Sequence, residues 1–209
     1  MDNNLDFIMP KGWHELSQKQ LRYVFRLIAD GFRTDQIKTL CLLRWNKAEV
    51  IAKLPDGTHL VQVGKEHHNI RAVDIAMILP YLDWLGSLPT LPIRLKRINR
   101  RKAIAADFQG VPFETYIICD NLYQGYLQTQ NDNLLNQLAT HLYQGLKGKI
   151  NDAERISIFY WLASVKDFFS HRFSDFLQPA SADNGNLLGG SPNIGSQLQE
   201  STPSKEPYL

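Results

Sequence analysis

Histidines are the first residues whose type could carry chemistry, because a neutral imidazole is a common zinc ligand. His67 and His68 are adjacent in the chain, so their side chains point in different directions in a regular element. His14 is followed by Glu15, but no second histidine stands four residues after His14, as the zinc-protease motif requires. The sequence therefore predicts no metal site.

The two cysteines are the next candidates, as nucleophiles or as metal ligands. Cys41 and Cys119 lie far apart in the sequence, and each has apolar neighbours, which favours buried, reduced thiols over a disulfide. The chain also lacks the Gly-x-Ser-x-Gly motif of serine hydrolases. A pairing of Cys119 with a distant histidine in three dimensions stays open. We nevertheless predict a protein that is not an enzyme and that needs no cofactor.

A short glycine- and lysine-containing segment, 145–149, has some similarity to a phosphate-binding loop. It lacks the four-residue gap and the Ser or Thr of that motif, and it follows a predicted helix where the motif needs a strand. The pattern is more typical of glycines that end a helix.

A run of cations is the strongest sign of a specific ligand. Six of the nine residues from 94 to 102 are lysine or arginine, and none of the nine is acidic. The six are Arg94, Lys96, Arg97, Arg100, Arg101 and Lys102. Such a run could neutralise several phosphates of a nucleic acid. The alternative is a basic hairpin turn that is simply solvated.

A second pattern belongs to the same nucleic-acid hypothesis. Residues 27–37 resemble the start of a helix-turn-helix, and a hairpin around residues 55–57 could form its wing. The second helix is apolar for a recognition helix, since it would present Ile37 and Leu40 to the groove. Its cations are Arg33, Lys38, Arg44 and Lys47.

Aromatic residues are concentrated just before residue 178. Seven fall between residues 159 and 176, and a helical stripe through Ile156, Phe159 and Leu162 explains part of them as an ordinary core face. Four lie outside or beside that stripe: Tyr160, Trp161, Phe168 and Phe176. A helix that is apolar on more than one side is either central in its domain or covered by a partner. We predict the four residues as a partner-binding surface, with a wholly intramolecular core as the alternative.

Apolar periodicity and capping residues predict a mainly helical α+β fold with about six helices and one or two small antiparallel β-hairpins. Ser17 and Gln20 form a capping box before the first helix. Later helices are predicted to begin at Thr34, near residue 70, at Pro112, at Asp132, and at Asn151 or Asp152. Pro80 is expected to kink or divide the helix over residues 70–85.

Turn residues predict where the hairpins lie. The Pro-Asp-Gly sequence at 55–57 joins strands expected near residues 48–54 and 58–63, because proline presets φ and glycine allows a positive φ. A second pair of strands is predicted at 92–98 and 103–108, joined by the basic turn.

Composition is ordinary for a globular protein, with a net charge of +2 over 209 residues. We predict one globular domain over residues 1–177, with 86–92 as a point where it could subdivide. Half of the 32 residues from 178 to 209 are Gly, Pro, Ser or Asn, which predicts a flexible tail. With no signal peptide and no run near 18 apolar residues, we expect no membrane partner.

Three stretches, taken together, resemble a known group of proteins. They are Pro10-x-x-Trp13-x-x-Leu16-Ser17; Leu91-Pro92-Ile93 with Asp107-Phe108 and Val111-Pro112-Phe113-Glu114-x-Tyr116; and Asn121-Leu122-Tyr123-Gln124-Gly125-Tyr126 with Leu134-Leu135-x-x-Leu138-Ala139-x-x-Leu142-Tyr143. Their order is similar to that in uncharacterised proteins of phage and prophage structural modules from Bacteroidetes, and in tail-assembly-chaperone-like proteins.

The resemblance carries no catalytic residues. It implies a non-enzymatic protein that acts in assembly of a virion tail or capsid by binding other phage structural subunits. It would work in the cytoplasm of the bacterial host or in the virion, and it could form homo-oligomers. Nucleic-acid binding through the 94–102 run is the alternative function.

Overall fold

The computed structural model describes residues 7 to 173, and these form six α-helices, a three-stranded sheet and a two-stranded sheet. The helices and strands are α1 Gln18–Ala29, α2 Thr34–Trp45, β1 Ala48–Lys53, β2 His59–Val63, β3 Glu66–Ile70, α3 Ala72–Ile78, β4 Arg97–Ile98, β5 Arg101–Lys102, α4 Phe113–Thr129, α5 Asp132–Leu142 and α6 Asp152–Arg172. Short 3-10 helices cover Trp13–Glu15 and Leu79–Gly86. The mainly helical α+β class is therefore confirmed.

Capping residues set where the helices begin. The Ser17 backbone N–H donates to Oε1 of Gln20 at 2.8 Å, and the Gln20 N–H donates to Oγ of Ser17 at 3.3 Å, which completes the predicted capping box. Asn151 and Glu154 make the same reciprocal pair before α6, at 3.1 and 2.9 Å. These side chains satisfy N–H groups that have no partner inside the helix.

Pro80 divides the third helical region, as the sequence predicted. α3 ends at Ile78, and the 3-10 helix Leu79–Gly86 continues the chain with the proline in its first turn. A proline lacks the N–H that an α-helix needs at this point, so the tighter 3-10 geometry replaces it.

The first sheet has the order β1-β2-β3, and both neighbouring pairs are antiparallel. β1 and β2 lie close to the predicted positions around the turn at 55–57. β3 was not predicted, because it carries His67, His68 and Asn69 and so lacks an apolar alternation. Its register against β2 is continuous from Glu66 opposite Val63 to Ile70 opposite His59.

The core surrounds α6, which packs against α1, α4 and α5. Side chains on every side of α6 are buried between Ser157 and Val165. Neighbouring helices contribute Phe25, Tyr123 and Leu138, each at most 1% exposed. α6 is thus the central helix of the described chain, one of the two arrangements that its all-round apolar character allows.

The described residues up to Arg172 form one compact unit. The predicted boundary at 177, the predicted tail over 178–209 and the candidate residue Phe176 lie outside the described residues. Among the residues that are described, no helix combines the length and the apolar character that crossing a membrane requires.

Candidate nucleic-acid interface

The basic run folds into a tight hairpin with Asn99 and Arg100 at its turn. β4 and β5 pair antiparallel, with Arg97 opposite Lys102. β4 covers only the end of the strand predicted at 92–98. The strand predicted at 103–108 is wrong, because β5 lies before it, at Arg101–Lys102. Asn99 and Arg100 have φ values of 46° and 65°, the left-handed region that central residues of a type I′ hairpin turn occupy.

Two buried side chains anchor the hairpin to the core. Leu95 precedes β4 and is 1% exposed, and Ile98 within β4 is fully buried. The hydroxyl of Tyr143, itself buried, donates to the Leu95 carbonyl at 2.9 Å. The first half of the hairpin is therefore fixed to the core, while Lys96 and Arg97 between these two anchors stay exposed.

Polar contacts from α1 hold the strand that enters the hairpin. Nε2 of Gln18 donates to the Arg94 carbonyl at 3.2 Å, and the Lys96 N–H donates to Oε1 of the same glutamine at 2.6 Å. Arg22 donates from its guanidinium to the carbonyl of Arg97. The first helix and the hairpin thus form one connected surface.

Five of the six cations are exposed at the surface. They are Lys96, Arg97, Arg100, Arg101 and Lys102. None of the six lies within 4 Å of an acidic side chain in residues 7–173. The exposed residues of this segment are otherwise limited to Asn99. The result is a concentrated positive surface with no acidic partner from the described chain.

Arg94 differs from the other five cations because it is half-buried. Its guanidinium carbon lies 5.8 Å from the ring centroid of Trp161, close enough for a cation–π interaction. Its Nε is buried and has no hydrogen-bond partner among the described residues. Arg94 therefore belongs partly to the packing beneath the hairpin, and the exposed surface consists of the other five cations.

The cations of α2 present a contrast. Lys38 pairs with Asp83, Arg33 pairs with Asp35 at 3.1 Å, and Arg44 lies over the Tyr23 ring at 5.6 Å. Buried residues of the same helix are Ile37, Cys41 and Leu42. These three cations are already engaged within the protein. Lys47, the fourth cation predicted for this helix, follows α2 and is exposed. One exposed cation there against five on the β4–β5 hairpin favours the hairpin as the cationic element.

Two of the predicted partner-binding residues lie in the core. Trp161 is fully buried, and its Nε1 donates to the Ala106 carbonyl at 2.7 Å. Tyr160 is 9% exposed and packs against Trp13 and Phe25, with ring centroids 5.5 and 5.6 Å apart. The prediction that Tyr160 and Trp161 lie on a partner-binding surface is therefore corrected. Other parts of the same chain cover these two side chains of α6.

Phe168 is the one described member of the four that is not fully buried. Its ring centroid lies 5.9 Å from that of Phe169, and the guanidinium carbon of Arg172 lies 5.6 Å from it. Phe176 falls outside the described residues. The structure thus does not bring the four residues together as one exposed surface.

The described residues contain no cluster of three or more histidine, cysteine or acidic side chains that could hold a metal. His67 is exposed while His68 is half-buried, as alternation along β3 requires. Burial raises the pKa of both the Cys41 and the Cys119 thiol to about 12, with Asp120 adding to the shift at Cys119. Both thiols are fully buried, so they are poor nucleophiles in the folded state.

An exposed apolar row stands out on α3 and the 3-10 helix that follows. Val73, Met77 and Tyr81 recur at four-residue intervals and are 53%, 64% and 70% exposed. α3 has no buried residue. Sequence analysis had no reason to single out this row, because its residue types are those of an ordinary core face.

The sequence analysis also missed the residues that position the hairpin. Gln18 and Tyr143 act through contacts with residues 94–96, at sequence separations that no local pattern reveals.

The chain matches no protein-family model, no curated protein and no solved structure.

Proposed function

We propose that this protein binds the phosphate backbone of a nucleic acid through the β4–β5 hairpin. The observation that carries the proposal is the set of five exposed cations, Lys96, Arg97, Arg100, Arg101 and Lys102, on a hairpin anchored to the core. Phosphate contacts by lysine and arginine release counterions, which gives binding without a requirement for base sequence.

The composition of the hairpin surface favours a nucleic acid over a lipid surface. No exposed large hydrophobic side chain lies between residues 94 and 103, so the hairpin offers nothing to insert among acyl chains. The absence of acidic partners within the described chain leaves the cations free for phosphates. We therefore expect the protein to contact the phosphate backbone of the nucleic acid and to tolerate different base sequences.

The test is fluorescence anisotropy with a mixed-sequence 20-base-pair DNA duplex at increasing salt concentration. The wild-type protein should bind at low salt, with log affinity falling linearly against log salt. Changing Arg97, Arg100 and Arg101 to Ser should reduce that slope by about 2 to 3, because each lost phosphate contact accounts for ~0.9.

The matched control removes the same charge elsewhere, by changing Lys47, Lys53 and Lys65 to Ser. All three are exposed and lie outside the hairpin. This variant should keep the wild-type slope. The proposal fails if the wild type does not bind at low salt, if both triple variants behave alike, or if phosphatidylserine vesicles bind more tightly than the duplex.

A second candidate is the role in virion assembly that the resemblance to phage proteins implies. Tyr160 and Trp161 are buried, so the observation that supports a protein partner is the exposed row of Val73 and Met77 on α3 and Tyr81 on the 3-10 helix that follows. Exposed apolar side chains in a row are typical of surfaces that bind other proteins.

Co-expression with tail or capsid subunits encoded beside its gene tests this candidate. Changing Met77 and Tyr81 to Lys should abolish co-purification with one such subunit. Changing Ile8, which is 75% exposed elsewhere on the chain, to Lys should leave co-purification unchanged. Equal recovery of the partner by the Met77 and Tyr81 variant and by the wild type would exclude this exposed row as the contact.

A further inference from the structure

The loop between α5 and α6 presents two lysines next to the hairpin. Leu146 and Ile150 are 5% and 4% exposed, so they tie the loop to the core. Lys147 and Lys149 lie between these anchors and are exposed. Gly148 has a φ of 83°, a conformation that glycine adopts without strain, and the chain bends there between the two lysines.

Backbone contacts join this loop to the hairpin. The Gln144 N–H donates to the Lys102 carbonyl at 3.0 Å, and the Ile104 N–H donates to the Leu142 carbonyl at 2.9 Å. An isolated antiparallel bridge pairs Ala103 with Tyr143 between them. Residues 142–144, which lead into the loop, therefore pair with residues 102–104 at the end of β5 and just after it.

The Arg101 side chain of the hairpin also lies close to the loop. A Cβ placed on Gly145 would lie 3.6 Å from Nη1 of Arg101. The guanidinium of a hairpin arginine thus reaches the first residue of the loop.

The acidic residues that follow the loop are already engaged. Glu154 is buried and its carboxylate lies 3.6 Å from the Arg22 guanidinium, while Asp152 pairs with Arg155. Neither Lys147 nor Lys149 has an acidic side chain within 4 Å in the described part of the chain. The positive surface of the hairpin is therefore not interrupted by a free carboxylate from this side.

We propose that the 145–149 loop is a second phosphate-binding segment of the same interface, with Lys147 and Lys149 contacting the nucleic-acid backbone beside the hairpin. This inference rests on the proposed nucleic-acid function. The loop follows a helix and has no Ser or Thr, so its ligand is a backbone phosphodiester and not a nucleoside triphosphate with its magnesium.

The first test measures the salt dependence of binding to the same 20-base-pair duplex. Changing Lys147 and Lys149 to Ser should lower the slope of log affinity against log salt by about 2, at ~0.9 for each contact. Changing Lys53 and Lys65 to Ser removes the same charge and should leave the slope unchanged. Equal melting temperatures for the three proteins would show that the fold is preserved.

The second test is protection of lysines from an amine-acetylating reagent, read by mass spectrometry with and without the duplex. Lys96 and Lys102 should be protected through the hairpin, and Lys147 and Lys149 through the loop. Lys53 and Lys65 should react equally in both samples.

The outcomes separate the two proposals. Protection of Lys96 and Lys102 without protection of Lys147 and Lys149, together with an unchanged slope for the loop variant, would overturn the loop and leave the hairpin standing. If none of the four lysines is protected, or the wild type does not bind, both proposals fail.

Discussion

Trp161 shows how a single core residue supports the cationic surface. Its ring packs near the rings of Phe108 and Tyr143, with centroids 6.2 and 6.0 Å away. Its indole N–H donates to the Ala106 carbonyl, and the Arg94 guanidinium lies above it. Since Tyr143 also bonds to the carbonyl of Leu95, Trp161 stabilises the segment from which the hairpin begins.

Replacing Trp161 with Ala should therefore destabilise the isolated protein. The change removes a fully buried ring and one hydrogen bond, and we expect a loss of about 3 to 5 kcal/mol in the free energy of unfolding. Urea denaturation followed by far-UV circular dichroism measures it.

Phe168 provides the comparison, since it is half-buried in the same helix. Changing Phe168 to Ala should cost about 1 kcal/mol, within the usual range for single substitutions. A Trp161 variant no less stable than the Phe168 variant would contradict the burial seen here. It would also return Trp161 to the list of partner-binding candidates.

At the scale of elements, the hairpin turn places an arginine where glycine is preferred. Arg100 has a φ of 65°, which costs a residue with a Cβ some energy. Changing Arg100 to Gly should stabilise the fold by about 0.5 to 1 kcal/mol, since glycine occupies this region without strain. The same change should weaken duplex binding and lower its salt slope by ~0.9.

Changing Arg100 to Lys separates the two effects. The charge is kept and the strain remains, so stability and salt slope should both stay near the wild-type values. Thermal unfolding and anisotropy on the three proteins check the prediction. A glycine variant that bound as tightly as the wild type would mean that the turn residue does not contact phosphate.

The capping box at the start of α1 gives a second prediction at this scale. Ser17 Oγ accepts from the Gln20 N–H, so Ser17→Ala leaves that N–H without its partner. We expect a loss of about 1 kcal/mol in the free energy of unfolding. The control is Ser170→Ala, which should have almost no effect because Ser170 is an exposed residue of α6. Equal effects of the two substitutions in urea denaturation would show that the cap is not stabilising.

These caps also explain which elements the sequence could predict. α1 and α6 begin where Ser17 and Asn151 stand, and Pro80 ends the α-helical geometry, because all three signals are local. β3 was missed because its pairing with β2 involves polar residues. Residues 92–96 alternate between buried and more exposed positions because they contact the core, and not because they pair with another strand, so the strand predicted at 92–98 was too long. The strand predicted at 103–108 was misplaced, since β5 is Arg101–Lys102.

The run of cations at 94–102 could be read from the sequence, but whether each cation is exposed and free of an acidic partner could not. Lys38 is engaged by Asp83, and the segment that leads into the 145–149 loop pairs with the end of the hairpin, only because of contacts between residues that are distant in the sequence. The burial of Tyr160 and Trp161 has the same origin, since α6 becomes the central helix through packing with α1, α4 and α5.

For the whole molecule, the core encloses several groups that can ionise only at high pH. Cys41 and Cys119 are fully buried, and Tyr123 is 1% exposed. Burial raises the pKa of each, and it raises that of Tyr116 to about 12. In every case the largest cause is desolvation of the charged form, and the Asp120 carboxylate adds to the shift at Cys119, Tyr116 and Tyr123. These groups are therefore neutral in the folded protein at neutral pH.

Stability should consequently fall at alkaline pH. Folding raises the pKa of each thiol from an ordinary value of about 9 to about 12. The contribution of the neutral thiols to the free energy of unfolding is therefore complete below pH 9 and is lost as the pH rises toward 12. Urea denaturation at pH 8, 9 and 10 measures the decline. Replacing Cys41 and Cys119 with Ala should lower stability by a constant amount from packing, but flatten its pH dependence between 9 and 10, before the buried tyrosines contribute. An unchanged pH dependence in that variant would mean that the thiols are not desolvated in the folded core.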